Sequence, residues 1–241
     1  MDDEELAQGL ITILQNWAGW DGLNRILTRY PNCQLCAVGG SVRDVLLNRS
    51  LLSKDFDFII YGTDSCQAVQ DLAEFGQLTF GQFGSPRWFP KGTSVYADIM
   101  NAKDWKGIRQ CEDVIDCLNE FDFSANAIAC DLRNGRIYDP QNGRRDISRR
   151  QIRAIRFDFP DGPISSTLPL SQLTMLWFRL LHYAHKLNMS IEVVTMQWLI
   201  RHRHYLSWKA EFSSHFFVPR LDRLDQIHLN DACANQAKLT S

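Results

Sequence analysis

Apolar residues recur at helical spacing from the start of the chain, at Leu6, Leu10, Ile13, Leu14 and Trp17 and then at Leu23, Ile26 and Leu27. This predicts helix over residues 4–29, broken near residues 19–22 where Gly19 and Gly22 weaken it. Residues 34–38 form a short apolar run, predicted as a strand, that leads into Gly39-Gly40-Ser41. Residues 42–47 then read as a helix with Ser41 as its N-cap. A second strand is predicted over residues 55–60, and a helix over residues 64–75. The Gly- and Phe-rich segment 77–100 suggests two strands, the later over residues 94–100. A helical stretch after Gln110 gives way to the block Asp122–Ala127, and Gly135, Asp139-Pro140 and Asn142-Gly143 mark turns around a hairpin-like stretch. From Leu168 onward the pattern is helical: Leu173, Leu176, Leu180, Ala184 and Leu187 share one face, and a second helix is expected over residues 191–200.

Strands interleaved with helices give way to helices alone, which predicts an α+β domain followed by a short all-helical C-terminal region. The proline-bearing stretch with Pro160, Pro163 and Pro169 is a natural boundary. The expected organisation is a first domain over residues 1–157, a helical region over 158–229 and a polar tail over 230–241, expected to be disordered.

Composition changes this picture little. Hydrophobic residues make up 45% and charged residues 22% of the 241, with a net charge of −2. That is ordinary globular composition, so any nucleic-acid contact must come from local basic patches. The acidic N-terminus lacks the basic-then-apolar order of a secretory signal, and no run of about 18 apolar residues is present. A cytoplasmic protein without membrane contact is the expectation. Seven cysteines are scattered along the chain. Cys33 and Cys36 form a CxxC pair, but no second ligand pair follows at zinc-site spacing, and core thiols are expected.

The candidate chemistry sits in two places. In Lys54-Asp55-Phe56-Asp57-Phe58, strand alternation puts Asp55 and Asp57 on one face and the phenylalanines on the other. Neighbouring carboxylates repel unless a cation lies between them, and magnesium suits such oxygen ligands. Alone, Asp-x-Asp is also common on solvated strand faces. In Gly39-Gly40-Ser41-Val42-Arg43-Asp44, the glycines let backbone N–H groups approach a phosphate, and Arg43 adds charge. A phosphate-cradling turn followed by Asp-x-Asp on the next strand is the arrangement that phosphoryl transfer requires.

The segment GGSVRDVLLNRSLLSKDFDFIIYG resembles the head-domain signature of the class II tRNA nucleotidyltransferases and bacterial poly(A) polymerases, of the polymerase β-like nucleotidyltransferase superfamily. DFSANAIACD resembles that family's RRDFT-x-NA block, and IYDPQNGRRDISRRQIRAI its following Asp-Pro segment. The resemblance covers residues 34–156. It implies a polymerase β-like head with a mixed sheet flanked by helices, and magnesium bound by Asp55 and Asp57. It further implies a triphosphate engaged by Gly39, Gly40, Ser41 and Arg43, with Asp44 bracing the loop and Asp122 and Asn126 near the nucleotide. Asp98 falls where relatives often place a further carboxylate, and is read as a third catalytic acid or as a polar residue of a solvated face.

Two departures qualify the resemblance. The family's paired arginines before DFT are replaced by Glu120 and Phe121. Its base-reading ED-x-x-R element aligns with Gln172, Leu173 and Leu176, and two leucines cannot make paired hydrogen bonds to a base. Basic residues cluster at Arg136, Arg144, Arg145, Arg149, Arg150, Arg153 and Arg156, and again at Arg201-His202-Arg203-His204. Arg144, Arg145, Arg149, Arg150 and Arg153 are the candidate RNA-binding set; the second group also reads as helix C-terminal charge. Three functions remain open: transfer of nucleotides from a nucleoside triphosphate to an RNA 3′ end, with tRNA as the acceptor; transfer to a protein, a small molecule or a tRNA by a toxin- or defence-type enzyme; and a catalytically impaired RNA- or nucleotide-binding module or subunit of a complex. Trp177, Phe178 and Trp198 are either core or an apolar face for self-association or a protein partner.

Overall fold

The computed structural model describes residues 1–49, 55–81, 84–104 and 109–222. The chain divides into two compact units, residues 1–147 and 148–241. The expected tail over 230–241 lies outside the described residues.

In the first unit α1 (Asp3–Gln15) opens on a capping box, Asp2 accepting from the Glu5 N–H while Glu5 reaches back to the Asp2 N–H. Its Leu6, Leu10 and Leu14 stripe is fully buried. After the break comes α2 (Trp20–Arg29). There follow β1 (Cys33–Val38), α3 (Gly40–Leu46), β2 (Asp55–Gly62) and α4 (Ser65–Asp71). The segment expected to hold two strands holds three, β3 (Gly76–Phe80), β4 (Pro86–Pro90) and β5 (Tyr96–Asn101). The remainder contributes α5 (Val114–Asn119), β6 (Ala129–Asp131), β7 (Ile137–Tyr138) and α6 (Gly143–Ser148). The strands form one mixed sheet of seven in the order β3-β4-β5-β2-β1-β6-β7. Within this sheet β2 and β5 pair in parallel, and the other pairs among its described residues are antiparallel.

Alternation divides the sheet's two faces. Phe56 and Phe58 point to the helix-covered side, where Trp17 packs on Phe56 with ring centroids 4.9 Å apart and on Trp88 edge-on at 5.7 Å. Burial of each such ring stabilises the fold by about 1.5–3 kcal/mol. The indole N–H groups are satisfied within the core, Trp17 donating to the Val95 carbonyl at 3.0 Å and Trp88 to that of Leu72 at 2.9 Å. This packing fixes β2 so that Asp55 and Asp57 must face away from the aromatic core.

Five of the six described cysteines behave as core residues. Cys33, Cys36, Cys111, Cys117 and Cys130 are buried and free, while Cys66 is exposed. Burial, with neighbouring carboxylates adding to it, pushes the thiols of Cys36 and Cys117 well up from the ordinary value, so they stay protonated and unreactive.

The second unit carries α7 (Gln172–Lys186), α8 (Val193–Arg201) and α9 (Lys209–His215), together with a two-residue parallel ladder between β8 (Gln151–Ile152) and β9 (Ser190–Ile191). Ser171 caps α7 by accepting from the Thr174 N–H, and Glu192 caps α8 through the Thr195 N–H. Trp177 and Phe178 are fully buried and Trp198 nearly so, which resolves them as core rather than an apolar docking face. Among the described residues, no helix is long and apolar enough to cross a membrane.

Candidate active site

The site is built on β1, α3 and β2. Val38 at the end of β1 pairs with Asp57, so the chain leaves β1 directly beside the second carboxylate. It turns there on Gly39, whose φ of 68° and ψ of −131° belong to a region that side-chain-bearing residues rarely adopt. A Cβ at position 39 would stand 3.0 Å from Asp57 Oδ2. Glycine is therefore required twice, for its backbone conformation and for the carboxylate it lets approach. Gly39→Ala is expected to cost about 1–3 kcal/mol of stability and to displace Asp57. Urea unfolding tests this, and a stability within about 0.5 kcal/mol of the native chain would count against it.

Ser41, expected as the N-cap of α3, lies inside the helix instead. Gly39 is the cap residue, and the Ser41 hydroxyl donates to the Val38 carbonyl at 3.0 Å. That bond ties the first turn of α3 to the end of β1, and Ser41 is buried. Arg43 is also buried, at 4% exposure. Its Nη1 donates to Asn126 Oδ1 at 2.6 Å and its Nε to Asp44 Oδ1 at 3.0 Å. Asn126 in turn donates from Nδ2 to Asp122 Oδ1 at 3.4 Å, and its carbonyl accepts the Gly39 N–H at 3.2 Å. Arg43, Asp44, Asp122 and Asn126 thus form one polar network behind the glycine turn, joining sequence blocks some eighty residues apart (Arg43 to Asn126 spans 83).

Asp55 and Asp57 share a face of β2, and the parallel register sets Asp57 opposite Asp98 and Asp55 opposite Tyr96. The Tyr96 hydroxyl donates to Asp55 Oδ2 at 3.2 Å. Burial, and then the charge of Asp55, push the Tyr96 phenol up to about 12, so it remains a donor at neutral pH. Asp98 is gripped by Arg87, Nε to Oδ1 at 2.7 Å and Nη2 to Oδ2 at 2.8 Å. That pair holds the Arg87 guanidinium above its ordinary value. Sequence reasoning missed Arg87 and Tyr96 altogether.

These residues fit a divalent cation. Asp55 and Asp57 offer hard oxygen ligands on one strand face, beside a glycine that leaves room for the second. Among the described residues no three His, Cys, Asp or Glu side chains gather as a ready-made cage. The magnesium shell is commonly completed by water and substrate phosphate.

The other predicted positions are partly committed elsewhere. Glu120 is buried at the C-cap of α5. Arg144 pairs with Asp3 and donates to the Met1 carbonyl, and Arg145 lies 3.6 Å from Asp146. Arg149 and Arg150 are exposed and, with Arg153, belong to the second unit, so the candidate RNA-binding set is divided between the two units. Leu173 and Leu176 are buried, at 8% and 3% exposure.

Comparison with known proteins agrees with this architecture. The poly A polymerase head domain family matches residues 92–153. A multifunctional CCA protein of Xanthomonas euvesicatoria pv. vesicatoria is 31% identical over 132 residues, covering 53% of this chain and 32% of the relative. The multifunctional CCA protein of Haemophilus ducreyi is 29% identical over 140 residues, covering 54% and 32%. The match thus spans 32% of the length of these relatives. Among solved structures, a CCA-adding enzyme with CTP superposes at a TM-score of 0.67 and 19% identity, covering 93% of this chain and 55% of that one. The Thermotoga maritima CCA-adding enzyme complexed with tRNA gives 0.58 at 24% identity, covering 77% and 42%. At these identities the superpositions establish the fold. Through residues 92–153 the chain is similar to the poly A polymerase head domain family, and over about half of its length to multifunctional CCA proteins.

Proposed function

We propose that this protein is a magnesium-dependent nucleotidyltransferase that adds nucleotides from a nucleoside triphosphate to an RNA 3′ end, releasing pyrophosphate, with tRNA as the acceptor. The observation that carries the reading is the Gly39 turn pressed against the Asp57 carboxylate, 3.0 Å from where a Cβ would stand, in a domain similar to the poly A polymerase head. Asp55 and Asp57 would hold magnesium, which when bound steadies charge on the phosphate oxygens and lowers the barrier to attack. The Gly39-Gly40 backbone would take the triphosphate, and the buried Arg43 would fix the turn through Asn126 and Asp44. The similar proteins, a multifunctional CCA protein and CCA-adding enzymes with CTP or with tRNA, support a nucleoside triphosphate donor and a tRNA acceptor.

A second reading keeps the chemistry and changes the acceptor. It is favoured by the burial of Leu173 and Leu176, which leaves the aligned base-reading positions without donors or acceptors. One experiment addresses both. The full chain is incubated with each labelled triphosphate and a tRNA transcript, with magnesium or with chelator, and in parallel with cell extract. Magnesium-dependent labelling of the transcript is the expected result. Label appearing only in protein or small molecules supports the second reading, and no magnesium-dependent label anywhere rejects the chemistry.

A further inference from the structure

The strand register lays Asp57 of β2, Asp98 of β5 and Arg87 of β4 in one row on the face that carries Asp55. Beyond its two bonds to Asp98, Arg87 places its Cζ 4.2 Å from the centroid of the Tyr96 ring. Tyr96 in turn donates to Asp55. Arg87 is therefore immobilised before any ligand arrives, which removes much of the rotamer cost of binding through a guanidinium. Its side chain remains 33% exposed, and Nη1 makes no hydrogen bond among the described residues.

The side of Asp57 on which this cluster stands decides what it meets. In the nucleotidyl-transfer reading, on which this inference rests, the triphosphate lies over the Gly39 turn, on the β1 side of Asp57. An in-line displacement sends the leaving group toward that turn and brings the attacking hydroxyl from the opposite side. That opposite side is β5 and β4. Arg87 lies two strand spacings, about 10 Å, from the Asp57 backbone, and a strand delivering its 3′ hydroxyl there carries its last phosphodiester over the same face. We propose that Arg87 binds the terminal phosphodiester of the acceptor strand, with Asp98 and Tyr96 as its positioning residues. Asp98 then serves the acceptor rather than the metal.

The test uses the full chain, a 5′-labelled tRNA transcript and magnesium with ATP or CTP. Transcript binding is followed by anisotropy over a range of salt, and nucleotide binding by calorimetry. Arg87→Ala is expected to weaken transcript binding about tenfold, the worth of one charge-assisted contact. It should also reduce the salt slope by about 0.7, one single-strand phosphate, and leave nucleotide affinity within about twofold. Arg87→Lys should keep the salt slope and recover part of the affinity, since it retains the charge without the planar fork. This variant also guards against a fold lost in the alanine chain. Asp98→Asn should weaken transcript binding and leave the magnesium concentration needed for nucleotide binding unchanged. Unchanged transcript affinity and salt slope in Arg87→Ala would overturn the inference alone, given a wild-type chain that binds nucleotide and transcript. A matched loss of nucleotide affinity would assign Arg87 to the triphosphate and overturn it as well. A wild-type chain that binds no nucleotide with magnesium overturns the transfer reading and this inference together.

Discussion

Asp57→Asn is expected to lower the rate of nucleotidyl transfer by about 10³-fold or more while leaving the fold intact. A bound cation that stabilises charge on a transferring phosphoryl group supplies several kcal/mol, and each 1.36 kcal/mol is about a factor of ten in rate. Asn has the shape of Asp, so the close approach to Gly39, where a Cβ would stand 3.0 Å from Oδ2, is kept. What is lost is the negative charge that makes this oxygen a good ligand for a hard cation. Removing one of two carboxylates on the β2 face also relieves like-charge repulsion, so stability without magnesium should hold or rise slightly. Single-turnover transfer and urea unfolding on the same protein separate the two effects. Magnesium-dependent transfer within about tenfold of the native rate would remove Asp57 from the metal site.

The parts of the site that follow from strand periodicity were legible in the sequence. Asp55 and Asp57 fall on one face because Phe56 and Phe58 must enter the aromatic core with Trp17, and alternation leaves no other choice. Features that depend on the register between strands were not legible. The Arg87–Asp98 pair and the Tyr96–Asp55 bond join β4 to β5 and β5 to β2, and no local pattern announces which residues will stand opposite each other. Two strands are expected over residues 77–100 where three stand, and β4 begins and ends in proline, Pro86 and Pro90, which normally argues against a strand interior.

The cap of α3 illustrates the same limit. Ser41 has the right chemistry for an N-cap, but the conformation at Gly39 is set by the meeting of two strands, and the helix begins two residues earlier. Ion pairs distant in sequence are no more legible. The candidate RNA-binding arginines include Arg144, which pairs with Asp3, 141 positions away in sequence. Glu120, which stands where the family has an arginine, is buried.

The network behind the glycine turn gives the second large effect, on stability. Asn126→Ala removes the oxygen that accepts from Arg43 Nη1 at 2.6 Å, at a guanidinium only 4% exposed. Hydrogen bonds to buried charge contribute about 1.5–3 kcal/mol, and leaving such a donor short of an acceptor adds desolvation cost. A loss of about 3 kcal/mol is expected. Asp44 still accepts from Nε, which keeps the figure below that of a fully broken pair. Asn126→Asp supplies the control: it keeps the acceptor and adds a charge opposite Arg43, but brings a second carboxylate toward Asp122, 3.4 Å from the present amide nitrogen. Its stability should therefore lie within about 1 kcal/mol of the native chain. The Gly39 N–H would keep its bond to the backbone carbonyl of residue 126 in both variants, so the turn loses its side-chain brace and not its anchor. In Asn126→Ala, nucleotide affinity should fall about tenfold as Arg43 and the turn lose their fixed geometry, with a smaller change in Asn126→Asp. Urea unfolding and nucleotide calorimetry on both variants decide the matter. An alanine variant within about 1 kcal/mol of native stability would mean that Arg43 does not depend on Asn126, and that the network does not set the geometry of the turn.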